Sequence, residues 1–193
     1  GSGKTIIAFI SLYINYLSGY QGVMMIPTEI LAFQHYNNFK ILFKAYNINC
    51  KILTSSTKVN DRNEIIKELK DGTLNIIIST HSVLNDEIEF NNLGLVITDE
   101  QHRFGVKQRK NLQEKGRDVD VIYMSATPIP RTLALTIYGD MDISFIKNKP
   151  QNTKKIITKL VSDSDIKEVL YDILEEIKKG HQIYVIVPLV NEN

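Results

Sequence analysis

The chain opens with Gly1-Ser2-Gly3-Lys4-Thr5, and apolar residues at helical spacing follow directly in residues 6–17. These five residues match the second half of the phosphate-binding loop G-x-x-x-x-G-K-[ST], in which backbone N–H groups surround phosphate oxygens. In such a loop the lysine contacts the β- and γ-phosphates and the hydroxyl contacts Mg²⁺. The sequence therefore predicts that Lys4 and Thr5 bind the phosphates and the metal of a nucleotide. The alternative is a glycine-rich turn that only begins a helix.

Short apolar runs alternate with helical patterns beyond this loop. The runs are apolar through their length and bounded by polar residues, which is typical of parallel strands buried on both faces. They lie at 22–26, 50–54, 75–79, 95–98 and 121–124, with helical patterns at 31–43 and 61–69 between the first three. The sequence therefore predicts an α/β fold, a doubly wound parallel sheet of the phosphate-loop type. Because a phosphate loop normally follows a strand, we expect the sheet to lack its first strand and the chain to be a fragment of a longer protein.

A polar segment interrupted by Pro150 separates a second pattern from the first. Its composition is typical of a linker between domains. We therefore expect a first domain at 1–146, a linker at 147–155 and the truncated start of a second domain at 156–193.

The second domain begins with two apolar runs on either side of a helical pattern. The runs at 156–160 and 182–187 are predicted strands, and the helix between them carries an apolar stripe. Ser162 and Asp165 match a capping box at the start of this helix, and Gly180 is placed to end it. Together these features predict the opening β-α-β of a second, similar α/β domain.

Composition excludes several classes of protein. The chain has 193 residues, of which 43% are apolar and 23% charged, as in ordinary globular domains. Its one cysteine, Cys50, cannot form an internal disulfide. No apolar run approaches the ~18 residues of a membrane span, and no secretion signal is present, so we expect a reducing, cytoplasmic setting. With 23 Lys and Arg against 22 Asp and Glu, binding of nucleic acid would not depend on bulk charge.

Two carboxylates, Asp99 and Glu100, end a predicted strand and are followed by Gln101 and His102. In a phosphate-loop fold the first carboxylate lies beside the metal that Thr5 holds. The second lies near the γ-phosphate, where it acts as the base that polarises water. The order of the two motifs favours a nucleotide-hydrolysing site over the alternative of solvated carboxylates at a strand end.

Two hydroxyls, Ser125 and Thr127, follow the next predicted strand. At the end of a neighbouring strand they can hydrogen-bond the Asp-Glu-Gln-His segment and change partners when phosphate leaves. We therefore predict that they couple hydrolysis to movement. The simpler alternative is a turn stiffened by Pro128 and Pro130.

The three motifs together resemble those of superfamily 2 helicases and translocases. This resemblance implies a RecA-like fold that binds ATP and Mg²⁺. A GTPase is disfavoured because Asn148-Lys-Pro-Gln151 lacks the aspartate that recognises guanine. A small-molecule kinase is disfavoured by the Ser-Ala-Thr motif.

Within the superfamily, the chain is similar to the RecG family of bacterial ATP-dependent DNA helicases. The segments that carry the resemblance lie at 27–31, 34–35, 79–81, 99–109, 125–140 and 187–190. The transcription-repair coupling factor Mfd, a double-stranded DNA translocase, is the alternative. It shares Phe104-Gly-Val106 and the Ala-Thr-Pro-Ile-Pro-Arg-Thr run.

The resemblance implies DNA contacts from residues at two strand ends. These residues are Pro27, Thr28, Glu29, Thr80 and His81. Hydroxyls and backbone N–H groups there would hold phosphates without a lysine-rich surface, in keeping with the nearly neutral chain. The alternative for the two threonines is helix capping.

The RecG resemblance also implies a substrate, an oligomeric state, a location and a further partner. It implies remodelling of branched DNA, such as stalled forks and Holliday junctions, by a monomeric motor in the bacterial cytoplasm near the nucleoid, with single-strand-binding protein as a further partner. The second motor domain supplies an arginine to the γ-phosphate that is worth ~10³–10⁵ in rate, so we expect this chain alone to be nearly inactive.

Two other hypotheses remain at the level of sequence. One is a nucleotide-gated DNA-binding module that does not unwind DNA. The other is a non-catalytic homologue, which the intact residues Lys4, Thr5, Asp99 and Glu100 disfavour. No spacing of His, Cys, Asp and Glu predicts a zinc site, and two further histidines, His35 and His181, are predicted to lie at the surface.

Overall fold

The computed structural model describes residues 3–99, 119–125, 142–146 and 156–187. The chain divides into two compact units, Gly1–Gln151 and Asn152–Asn193. The predicted linker at 147–155 lies outside the described residues.

The first unit alternates helices and parallel strands, as predicted. Helix α1 (Lys4–Leu17) is followed by β1 (Gln21–Met25), α2 (Glu29–Leu42), β2 (Cys50–Leu53), α3 (Val59–Asp71) and β3 (Ile76–Ser79). A short 3₁₀ turn, His81–Leu84, precedes β4 (Leu93–Thr98) and β5 (Asp120–Tyr123). All eight predicted elements are present within a few residues of their predicted bounds. Among the described residues of this unit, the 3₁₀ turn is the element that the pattern did not predict.

The five strands form one parallel sheet in the order β2-β3-β1-β4-β5. Strand β1 lies at the centre, where Val23 pairs with Ile77 of β3 on one side and Val96 of β4 on the other. Because every strand runs the same way, all five carboxyl ends lie at one edge of the sheet, here called the carboxyl edge. The predicted α/β class and parallel sheet are confirmed.

Helices cover both faces of the sheet, which explains why the strands read as continuous apolar runs. Alternate residues of β1 point to opposite faces: Val23 packs in the core beside α3, and Met24 packs in the core beside α1 and α2. Phe9 and Leu12 of α1 are fully buried on the second face. Burial of side chains of this size contributes about 1.5–3 kcal/mol each.

A glycine of β1 lets helix α1 lie close to the sheet. A β-carbon on Gly22 would lie 2.6 Å from Cδ2 of Leu12, a side chain with no exposed surface. Any larger residue would therefore push α1 away from β1. Since Leu17 ends α1 and Gln21 begins β1 at the opposite edge of the sheet, the start of α1 is directed to the carboxyl edge.

The described residues of the second unit, 156–187, contain one helix, α4 (Ile166–Lys178), preceded by a 3₁₀ turn at Asp163–Asp165. Its predicted end is confirmed, because Gly180 adopts a left-handed conformation at φ +80°. The Gly180 N–H donates to the Ile177 carbonyl, and the His181 N–H donates to the Glu176 carbonyl. These two bonds form a Schellman motif.

The predicted capping box at the start of α4 is wrong. The Ser162 hydroxyl donates to the Asp165 carboxylate at 2.8 Å instead of accepting a backbone N–H. The Ser162 hydroxyl is therefore occupied by a side chain. The turn is closed by a hydrogen bond from the Asp165 N–H to the Ser162 carbonyl.

The two strands predicted on either side of α4 do not form. Residues 156–160 and 182–187 have no strand structure, and Leu160 and Ile186 are almost fully exposed. A strand needs a hydrogen-bonded neighbour, and within the ranges that the structure covers neither segment has one. Apolar content alone was therefore an insufficient predictor here, whereas the helix forms from bonds within its own segment.

Candidate functional site

The carboxyl edge of the sheet holds the residues that follow β1, β4 and β5 side by side. The Asp99 N–H donates to the Met25 carbonyl at 2.9 Å, and the Met124 N–H donates to the Thr98 carbonyl at 2.9 Å. These bonds continue the ladder beyond the last paired residues of the strands. The start of the predicted catalytic segment is therefore fixed by the backbone of both of its neighbours.

The ends of β1, β3 and β2 are connected in the same way. The Ile26 N–H donates to the Ser79 carbonyl at 2.8 Å, and the Thr80 N–H donates to the Leu53 carbonyl at 3.2 Å. Thr80 is buried, and its hydroxyl lies 3.3 Å from that of Ser82. The two segments predicted to contact DNA thus start from neighbouring points of one rigid edge.

Helix α1 begins in a manner that suits an anion. Gly3 occupies the N-cap position with φ +86°, a left-handed conformation that favours glycine. Within the described ranges no side chain caps the helix, and its first turn contains Lys4 and no acidic residue. The first N–H groups of an α-helix have no partner within the helix and carry the positive end of its dipole. Gly1 and Ser2 lie outside the described residues.

Asp99 and the residue before it supply oxygen atoms at the end of β4. The Asp99 side chain is 18% exposed. Thr98 is buried, and its hydroxyl has no hydrogen-bond partner in the described part of the chain. Thr98 pairs with Met25 and so faces the α3 side of the sheet, whereas Asp99, beside His35 of α2, faces the other side. The Asp99 carboxylate and the Thr5 hydroxyl are hard oxygen donors of the kind that Mg²⁺ prefers, so their chemistry fits the metal that the sequence predicts.

His35 is the site residue that the sequence analysis placed wrongly. It was predicted to lie at the surface, but it is 8% exposed, on the inner face of α2. Its ring packs edge-on against Phe9 with centroids 6.1 Å apart, and its Nε2 lies 3.7 Å from Oδ2 of Asp99. Burial lowers the pKa of His35, and the Asp99 carboxylate opposes this effect. His181, by contrast, is exposed as predicted.

Helix α2 begins at the first segment predicted to contact DNA. The Thr28 hydroxyl caps the helix by accepting the Leu31 N–H at 3.4 Å, so the capping alternative for this residue is observed. The Glu29 carboxylate accepts the Ser55 hydroxyl and the Ser56 N–H, both at 3.0 Å. These bonds lower the pKa of Glu29, and the bond from the Ser56 backbone has the largest effect.

The loop after β2, residues 54–57, is hydrogen-bonded to the start of α2, and it was not among the site residues predicted from the sequence. The Thr54 N–H donates to the Thr57 hydroxyl at 2.9 Å, and the Thr54 and Ser56 hydroxyls lie 3.0 Å apart. Four consecutive hydroxyl residues after a predicted strand were the signal that could have indicated it. For Thr80 no side-chain cap forms on the 3₁₀ turn that follows, so the capping alternative does not describe that residue.

The remaining predicted site residues divide into two groups. Ser125 is described and half-buried, just beyond the end of β5 and next to β4. Glu100, Gln101, His102 and Thr127 lie outside the described residues. Their predicted roles in catalysis and coupling stay predictions.

Comparison with known proteins matches the chain to helicases. The family model for DEAD/DEAH box helicases matches residues 1–136. The ATP-dependent DNA helicase RecG of Bacillus subtilis (strain 168) is 49% identical over all of this chain, which covers 28% of that protein. RecG of Aquifex aeolicus (strain VF5) is also 49% identical, with 25% of its length covered. The chain thus spans about a quarter of the length of these curated relatives.

Solved structures agree with these matches. A structure of RecG bound to a three-way DNA junction superimposes with a TM-score of 0.83 and 39% identity, covering 98% of this chain and 25% of that one. A hypothetical ATP-dependent RNA helicase from Sulfolobus tokodaii shares the fold alone, with a TM-score of 0.57 and 15% identity. The resemblance to RecG that the motifs carry is confirmed. None of the described helices is long and apolar enough to cross a membrane.

Proposed function

Since the chain belongs to the DEAD/DEAH box helicase family, we propose that it is the ATP-hydrolysing motor of a DNA helicase that remodels branched DNA. The observation that carries this proposal is the carboxyl edge of the sheet, where Asp99 follows β4 and helix α2 follows β1. The start of α1, which no described side chain caps, is directed to the same edge. Ligands of open parallel α/β sheets bind outside the carboxyl ends of the strands. Identity to RecG across the whole chain favours this proposal over the Mfd alternative.

Each residue of the nucleotide site has one proposed role. The backbone of Gly1–Gly3 and the side chain of Lys4 hold the phosphates, and Thr5 and Asp99 hold Mg²⁺. Glu100 polarises the attacking water, while Gln101 and His102 contact the γ-phosphate region. When bound, MgATP supplies the phosphoanhydride bond whose hydrolysis drives movement. The oxygen donors of Thr5 and Asp99, with Asp99 at the carboxyl end of β4 and Thr5 in the first turn of α1, support the metal assignment.

The DNA-binding part of the proposal concerns the segments after β1 and β3. Pro27, Thr28 and Glu29 on one side, and Thr80 and His81 on the other, start from neighbouring strand ends. Hydroxyls, backbone N–H groups and helix starts position DNA phosphates in many complexes. This mode of binding is compatible with a net charge of +1.

For the whole protein we propose a monomeric motor acting on forks and junctions in recombination and repair. The relative whose structure holds a three-way junction supports branched DNA as the substrate. Single-strand-binding protein as a partner, and a cytoplasmic location near the nucleoid, rest on the same relationship. This chain without the rest of the protein is expected to hydrolyse ATP very slowly.

Replacement of Lys4 tests the proposal in the intact protein that contains this chain. Lys4→Ala should reduce forked-DNA-stimulated ATP hydrolysis to below about a tenth of the unmodified rate, because the phosphates lose their point charge. The thermal midpoint should stay unchanged because α1 is packed through Phe9 and Leu12. Steady-state ATPase and fork unwinding are the measurements.

A matched control is available on α3. Lys67→Ala removes an exposed lysine to which no role is assigned, and it should leave both activities unchanged. Hydrolysis by Lys4→Ala at more than a tenth of the normal rate contradicts the proposed site. Normal hydrolysis without strand displacement by the unmodified protein contradicts helicase activity and supports a nucleotide-gated binding module instead.

A further inference from the structure

His35 is a polar residue in an apolar position. It lies on the inner face of α2, with its ring edge-on against Phe9 and within the aromatic cluster that includes Phe39. Burying an imidazole costs free energy unless a polar partner compensates. Packing alone would be served as well by leucine or phenylalanine, so the ring nitrogens need an explanation.

The polar edge of this ring is directed to Asp99. Nε2 lies 3.7 Å from Asp99 Oδ2, whereas Nδ1 has no hydrogen-bond partner among the residues that the structure describes. Hydrogen bonds between nitrogen and oxygen span roughly 2.7–3.2 Å. A shift of the carboxylate by less than about 1 Å would therefore bring it into hydrogen-bond range of Nε2.

We propose that His35 is a positioning residue that holds the Asp99 carboxylate in the orientation needed for Mg²⁺. This inference rests on the proposed function, because it assigns Asp99 to the metal. The Asp99 backbone is already fixed by its N–H bond to Met25. His35 then restrains the side chain, as the outer partners of metal-binding carboxylates commonly do.

The proposal gives helix α2 a second connection to the nucleotide site. The helix starts at Glu29, in the segment proposed to contact DNA, and His35 lies six residues later, about 9 Å along the axis. A helix of 14 residues moves as a stiff unit. A displacement of its start on DNA binding would therefore change the distance between His35 and Asp99.

Three replacements separate positioning from packing in the intact protein. His35→Leu keeps the apolar contact with Phe9 but removes both nitrogens. His35→Gln can place an amide N–H where Nε2 lies, and His35→Asn places one only near Nδ1. We expect rescue by Gln and not by Asn, whereas a role in packing alone would not distinguish the two amides.

The main measurement is the Mg²⁺ concentration for half-maximal binding of a fluorescent, non-hydrolysable ATP analogue. His35→Leu and His35→Asn should raise it about 10- to 100-fold, and His35→Gln should stay within about threefold of the unmodified protein. An unchanged Mg²⁺ requirement in folded Leu and Asn variants overturns the proposal. An equal increase in all three variants also overturns it, because it indicates loss of packing.

A second measurement needs no nucleotide. The thermal midpoints of His35→Leu, Asp99→Asn and the double variant form a double-mutant cycle, and a contact between the two side chains predicts that their effects are not additive. Additive shifts overturn the contact. If the unmodified protein binds no nucleotide, the proposed function fails, but the cycle still decides whether His35 holds Asp99.

Discussion

Asp99 and Glu100 are adjacent carboxylates with different proposed roles. Asp99 is proposed to hold Mg²⁺, and Glu100 is proposed to polarise the attacking water. Glu100→Gln keeps the size of the side chain and removes the base, so ATP should bind normally while hydrolysis falls about 10²- to 10⁴-fold. The measurements are nucleotide affinity and single-turnover hydrolysis in the intact protein. Asp120→Asn, at the opposite end of β5, is the control and should change neither. Loss of ATP binding by a folded Glu100→Gln protein would show that Glu100 is a ligand or a structural residue.

The position of some residues in the fold could be predicted from the sequence alone, and the position of others could not. Lys4, Thr5 and Asp99 were predicted because fixed spacing places them at the start of a helix and at the end of a strand. His35 was misplaced because its burial depends on Phe9 and Asp99, which lie 26 residues before it and 64 after it. His35 shares a helical period with the buried residues Ala32 and Phe39, but a contact with a residue 64 positions away has no local signal, and the polar Gln34 beside it favoured an exposed position.

At the scale of elements, the start of α2 is connected to the loop 54–57 through the Glu29 carboxylate. Glu29→Ala removes the Oε1 atom that accepts both of these hydrogen bonds, so backbone hydrogen exchange in this loop should become about three- to tenfold faster at pH 7. Because the pKa of Glu29 is lowered in the folded protein, its contribution is complete above the ordinary value of 4.5 and is lost as the pH falls below it. The difference between the two proteins should therefore shrink in acid.

The control for this element is Glu64→Ala on α3. Glu64 is an exposed carboxylate that pairs with Lys51, and among the described residues its side chain makes no hydrogen bond to the loop. Exchange in residues 54–57 should be unaffected by this change. Equal exchange in the unmodified and Glu29→Ala proteins at pH 7 would mean that the loop is ordered by its own hydroxyls, such as those of Thr54 and Thr57.

The helices and strands of the first unit were predictable because each has its own local sequence pattern. Each strand then forms hydrogen bonds with neighbouring strands of the same unit. The run predicted at 75–79 became β3 (Ile76–Ser79), paired on both sides by β1 and β2. In the second unit the run at 156–160 is equally apolar, but no described neighbour pairs with it. Helix α4 still forms because its hydrogen bonds lie within its own residues.

At the scale of the whole molecule, the proposal requires that hydrolysis be coupled to strand displacement. Strand β5 is the neighbour of β4, with Tyr123 paired to Thr98, so Ser125 follows the strand that lies next to β4, and Asp99 follows β4 itself. The hydroxyl of Ser125 and that of Thr127 are therefore proposed to respond when the γ-phosphate leaves. We propose that Pro128 and Pro130, which follow Thr127 in the sequence, stiffen this segment so that it transmits a small shift.

Replacement of both hydroxyls in the intact protein tests this coupling. Ser125→Ala with Thr127→Ala should leave DNA-stimulated ATP hydrolysis within a few-fold of normal while fork unwinding fails. If these hydroxyls only satisfy buried backbone groups, the change instead costs roughly 1–3 kcal/mol of stability. The pair Ser18→Ala with Thr73→Ala, in exposed turns at the other edge of the sheet, is the matched control. Melting temperature, ATPase and unwinding are measured on one preparation, and an unchanged amount of unwinding per ATP hydrolysed rules out the coupling role.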